Sequence, residues 1–105
     1  SPTILELYIE RGNQFYRAGQ GFVATIAAEL TKDGEDITST YHPSQLVWAR
    51  ESEDAEGDRN WALAHLNSGH SINIADTDLA GSTSIILTVY DKNGRTTEKK
   101  KLKLN

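Results

Sequence analysis

Three histidines and one dense acidic stretch are the side chains of this 105-residue sequence whose types and spacing invite chemistry. A zinc site needs three or four converging ligands, commonly with two histidines on one helical face. His65 and His70 are five positions apart across an expected turn, and His42 is far from both. No Asp or Glu stands beside them at ligand spacing, so all three read as surface histidines and no metal ligand is assigned. The stretch Ser52-Glu53-Asp54-Ala55-Glu56-Gly57-Asp58-Arg59-Asn60 can be tested against a calcium loop. Placing Gly57 at loop position 6 puts Ser52, Asp54 and Glu56 at positions 1, 3 and 5, but Leu63 falls at position 12, where a bidentate Glu is required. The expected reading of Glu51 to Asp58 is therefore a solvated acidic loop. The sharper alternative is a looser calcium site at one end of the domain, with Asn60 and Asp78 nearby.

Other chemistries fare worse. Glycoside hydrolysis needs two carboxyls held about 5–10 Å apart in a cleft, and nothing in the sequence places any two acids together. No Gly-x-Ser-x-Gly occurs, Ser68-Gly69-His70-Ser71 reads as a turn, and no Gly-rich phosphate loop opens a helix. The absence of cysteine excludes a thiol nucleophile, a disulfide framework and Cys-ligated metals. A non-enzymatic chain without a cofactor is expected. The net charge of −4 argues against nucleic acid as a partner, because phosphate contacts need clustered Lys and Arg. No apolar run approaches the roughly 18–20 residues that span a bilayer, and no signal-peptide pattern is present, so no membrane insertion is expected. The sequence opens Ser1-Pro2-Thr3 and holds no methionine, which suggests a domain excised from a larger protein.

The elements that must position these side chains are strands. Phe22, Ala24, Ile26, Ala28 and Leu30 alternate with Val23, Thr25, Ala27 and Glu29, a period of two that predicts a half-buried strand. Leu5, Leu7 and Ile9 alternate in the same way, as do Leu46 and Trp48, and then Ile72 and Ile74. Residues 82–90 are apolar on both faces, with Ile85, Leu87 and Val89 on one side, as befits the centre of a sheet. Asp33-Gly34 and Asp91-Lys92-Asn93-Gly94 supply hairpin turns. Arg17-Ala18-Gly19-Gln20-Gly21 follows a short Phe15-Tyr16 piece. A helix fits only Asp58 to Asn67. About seven short antiparallel strands in a chain of this length predict an all-β fold, an immunoglobulin-like β-sandwich without a disulfide, as a single domain over residues 1–105. The expected strand order is A, B, C, a variable crossing, E, F, G. The expected core comprises Trp48, Leu46, Phe22, Ile26, Leu30, Ile72, Ile74, Ile85, Leu87 and Val89.

Asp33-Gly34-Glu35-Asp36-Ile37-Thr38, then Trp48-Ala49-Arg50-Glu51-Ser52, Asp58, Trp61, Ser71-Ile72-Asn73-Ile74 and Asp78 resemble, in order and spacing, the immunoglobulin-like domains of bacteriophage and prophage tail proteins. The resemblance covers roughly residues 22–91. It implies a sandwich in which Trp48 is the strand-C tryptophan buried beneath the opposite sheet. It also implies a virion structural protein that serves as spacer or decoration, with weak host attachment. The partners would be neighbouring domains of the parent chain, other tail subunits or a host-surface glycan. Two features of antibody domains are missing: the intersheet cysteines and the tyrosine that usually precedes the second of them. The rival readings are an immunoglobulin-like module of a bacterial cell-surface adhesin and a carbohydrate-binding module. For the latter, Tyr8, Tyr16, Tyr41 and Trp61 form no row in the sequence.

Two features stay ambiguous at this level. Trp61 lies in a polar connection, where it either forms a surface contact or plugs the sandwich end with Leu63 and Leu66; the plug is the expected reading. Residues 95–105 hold five basic side chains and one acid, against 6 basic and 14 acidic side chains in residues 1–94. Lys99, Lys100, Lys101 and Lys103 are expected to protect an edge strand from pairing. The alternative is contact with an anionic surface.

Overall fold

The computed structural model describes residues 2–12 and 21–105; the Phe15-Tyr16 piece, most of the turn that follows it, and Tyr16 as a candidate aromatic lie outside these. The chain folds into two antiparallel sheets with seven strands among the described residues. The first sheet holds β1 (Thr3–Gly12), β2 (Phe22–Lys32), the two-residue β3 (Glu35–Asp36) and β5 (Ser71–Ala75), with β2 between β1 and β5. The second holds β4 (Leu46–Glu51), β6 (Ser84–Tyr90) and β7 (Thr96–Lys103), with β6 in the centre. A helix, α1 (Ala55–Ala64), fills the crossing from β4 to β5. The fold is an all-β sandwich of two antiparallel sheets, one built on β2 and the other on β6.

Register follows the hydrophobic phase. Leu5 stands opposite Leu30, Ile26 opposite Ile72, Trp48 opposite Leu87, and Ile85 opposite Leu102. Each pair directs apolar side chains between the sheets, and a one-residue slip would turn them all to water. Trp48, Leu46, Ile26, Leu30, Ile72, Ile74, Ile85, Leu87 and Val89 are buried there, joined by Leu5, Val23, Ala24, Ala28, Trp61 and Leu104.

Phe22 is the exception among the expected core residues, being 40% exposed. The pairing of β2 with β5 shifts register between Phe22 and Ala24, so the alternation that buries Ala24, Ile26 and Leu30 does not extend back to Phe22. Its ring instead lies beneath the Arg11 guanidinium, 4.5 Å from the ring centre. Strand β2 is also buried on both faces from Val23 to Ala28 rather than half-buried. It is the inner strand of its sheet, and the small outward residues Thr25 and Ala27 sit between flanking strands.

Both hairpins form, by different means. Lys32 pairs with Glu35, leaving Asp33 (φ 53°) and Gly34 (φ 78°) as a two-residue loop with both central residues left-handed. At the β6–β7 turn only Gly94 (φ 79°) is left-handed, and Asp91 Oδ1 accepts hydrogen bonds from the Asn93 and Arg95 amides. The lysine-rich β7 is an edge strand, paired with β6 alone.

Candidate functional site

The acidic stretch is largely solvated, as expected, but it is a loop only in its first half. Its second half is the start of α1, and the sequence-based span of Asp58 to Asn67 lies three residues too far along. Asp54 caps the helix: its Oδ1 accepts a hydrogen bond from the Gly57 amide at 3.0 Å. Glu56 and Asp58 lie in the first turn, where the helix dipole favours negative charge.

Arg50 organises what lies beneath. It follows Leu46 and Trp48 in the inward phase of β4, so the strand carries its guanidinium to the end of the core, where the side chain is 7% exposed. A buried cation must be paired. Its Nε donates to Asp58 Oδ1 at 2.6 Å and its Nη1 to the Asp78 carbonyl at 2.9 Å, with Asp54 Oδ2 3.8 Å from Nη2. Asp58 also accepts from the Ser52 hydroxyl at 2.6 Å and the Ser52 amide at 2.9 Å. Burial pushes the Asp58 carboxyl up, but the hydrogen bonds from Ser52 and Arg50, with the Arg50 charge, outweigh it and hold the group below the usual aspartate range.

Trp61 completes the joint between helix and sandwich. It is buried, which removes it as a surface contact. Its Nε1 donates to Asp78 Oδ1 at 3.0 Å, while Asp78 Oδ2 accepts from the Ala75 amide at 2.8 Å. The His65 ring stacks on the indole at 3.7 Å between centres, and its Nδ1 donates to the Trp61 carbonyl. Trp61 is thus the plug, without the two expected companions: Leu63 is 68% and Leu66 55% exposed.

The histidines do not converge. His42 Nδ1 accepts from the Ser44 amide at the head of the short turn Pro43–Gln45, His65 packs on Trp61, and His70 lines a cleft on the other sheet. No three His, Asp or Glu side chains gather as a ligand set among the described residues. Asp54, Asp58 and Asp78 do approach one another through Arg50, but their oxygens are engaged by the cation, by Ser52, by the indole and by backbone amides. What the arrangement does chemically is fasten a helix to a sheet.

Sequence reasoning missed Arg50. The available signal was a charge in the inward phase of a strand, a position that demands a carboxylate partner from elsewhere in the chain.

A second polar region lies on the outer face of the first sheet, where Tyr8, Glu29, Asp36, Thr38, Ser39 and His70 line a shallow cleft of about 340 Å³. Asp36 Oδ1 accepts from the Thr38 hydroxyl at 2.6 Å and the Thr38 amide at 2.9 Å. These bonds, with a smaller contribution from His70, lower the Asp36 pKa. No helix among the described residues is long and apolar enough to cross a membrane. No protein-family model, no curated protein and no solved structure matches the chain.

Proposed function

We propose that the chain is a non-enzymatic structural module of a phage or prophage tail-associated protein, a compact spacer or decoration that touches the host surface weakly. The observation that carries this reading is the joint at the helix-capped end. Arg50, Ser52, Asp58, Trp61 and Asp78 direct their hydrogen bonds to one another and to the backbone. That is the chemistry of a mechanical fastening, whereas a reaction centre needs groups held ready for a substrate. The same five residues belong to the ordered set on which the resemblance to tail immunoglobulin-like domains rests, so the resemblance and the geometry concern the same side chains. The partners under this reading are neighbouring domains of the parent chain, other tail subunits and host-surface glycan.

Immunogold labelling and mass spectrometry of phage particles purified from cultures that express the chain test it. Labelled tails are expected. Label on the bacterial envelope in the absence of particles would instead establish an adhesin module, and a specific hit on a glycan array would establish a carbohydrate-binding one.

A further inference from the structure

We infer that the two outer faces of the sandwich are complementary to each other, so that the acidic face of one copy receives the lysine row of a second. This stands independently of the tail reading.

On the first sheet, Leu5 and Leu7 point inward, which sends Glu6 and Tyr8 outward. Glu6 stands directly opposite Glu29 on β2. Like charges at directly opposed positions are destabilising, and Asp36 adds a third carboxylate beside Glu29 at the rim of the cleft. Neither lysine nor arginine lines that cleft; Arg11 is engaged with the Phe22 ring. Tyr8, 43% exposed, offers an aromatic surface one outward step along β1 from Glu6, and a cation over such a ring is favoured.

On the second sheet, Leu102 pairs inward with Ile85, which places Lys99, Lys101 and Lys103 in the outward phase, opposite Thr88, Ile86 and Ser84. Alternate residues of a strand are about 6.6–6.8 Å apart, so the backbone positions of the three lysines form a row with the same stride as those of Glu6 and Tyr8. Glu51 pairs with Lys101 at 2.6 Å, and both side chains remain more than half exposed. The half-buried Val47, Ala49 and Ile86 add an apolar floor to this face.

The two faces lie on opposite sides of the molecule. A contact between them is therefore heterologous, and it propagates into a stack instead of closing as a two-fold dimer. Each copy would add roughly the shortest dimension of the molecule, 18 Å between its outermost Cα positions plus side chains. Exposed ion pairs are individually weak, so the association is low-affinity and strongly dependent on salt.

Sedimentation velocity on the 105-residue chain over rising concentration tests this at ionic strengths of about 0.01 M and 1 M, where screening lengths are about 30 Å and 3 Å. The parent chain is expected to form dimers and longer species at low salt and to be monomeric at high salt. Two variants, K99Q/K101Q/K103Q and E6Q/E29Q, each lose one face. Each alone is expected to be monomeric, and their equimolar mixture to form a 1:1 dimer that grows no further. Melting curves check that both variants fold. A parent chain that stays monomeric at low salt overturns the inference, as does association that salt does not weaken or that either variant retains. A mixture that fails to form the capped dimer overturns it as well.

Discussion

The two tryptophans are both buried, yet they are held by different physics. Trp48 sits in the inward phase of β4, across from Leu87, amid apolar side chains from both sheets, with its Nε1 donating to the Gly69 carbonyl at 2.8 Å. Trp61 sits on a short helix attached through Asp78 and the Arg50–Asp58 pair, with the ring of the capping His65 stacked on its indole. Both indoles belong to the apolar core, but the first is set by volume and ladder register, whereas the second is fixed in addition by charge and hydrogen-bond direction. The sandwich therefore rests on apolar burial, and the position of α1 rests on apolar burial together with ionisation states.

Substitutions and solvent conditions should separate the two regions. Trp48→Ala is expected to cost about 3–5 kcal/mol, a large share of the roughly 5–15 kcal/mol that stabilises a domain. Chemical denaturation should show a largely unfolded variant; a thermal transition within a few degrees of the parent would remove Trp48 from the centre of the core. Asp58→Ala leaves the Arg50 cation without its closest counter-charge, at an expected cost of about 1.5–3 kcal/mol for a partly exposed charged hydrogen bond. The loss should be local: amide exchange should quicken in residues 55–64 and stay slow in β2 and β6.

Acid should act on the same region. The Asp58 carboxyl takes a proton near pH 4 when unfolded but only at lower pH when folded. As pH falls through that window the unfolded chain binds more protons, so stability is present above it and is lost on acidification. Asp58→Ala should flatten this pH dependence in and below the ordinary aspartate range, as followed by thermal melts. A smaller effect, about 1–2 kcal/mol, is expected for Asp78→Ala, which removes the acceptor of the Trp61 indole; a red shift in tryptophan emission would report it. Calcium should do nothing. Because Asp54, Asp58 and Asp78 are already engaged, melting temperatures in excess calcium and in chelator should agree, and a reproducible rise would show that the joint opens to take a cation.

The sheets were readable from the sequence because a period of two is a direct physical consequence of the pleat, and nine of the ten expected core residues lie inside. Phe22 escaped because a register shift carries no compositional mark: the alternation continues through it in sequence but not in space. The helix start was misplaced because five acids in eight positions look like repulsion, although Asp54 followed by acids in the first turn is also a capping signal. The joint was the least legible part. Its members come from β4, α1 and the turn Asp76–Asp78, and only the folded topology brings them together. Proximity in sequence groups Leu63 and Leu66 with Trp61, but only Trp61 turns inward, Leu63 being on the exposed side of α1 and Leu66 beyond its end.

The central position of β2 has a consequence for how the molecule is made. Its pairing with β5 brings Thr25 to Asn73 across 48 residues, with a 2.7 Å hydrogen bond between their side chains. Non-local pairings of this kind place sandwich folds among the slow folders, at milliseconds to seconds. A ribosome delivers the chain from its N-terminal side, so β2 emerges well before β5. During that interval its apolar residues from Val23 to Ala28 have only β1 as a partner, with one edge and both faces open. The acids of β1 then act as guards of a nascent strand, since charge beside an apolar run is what keeps unfinished chains apart.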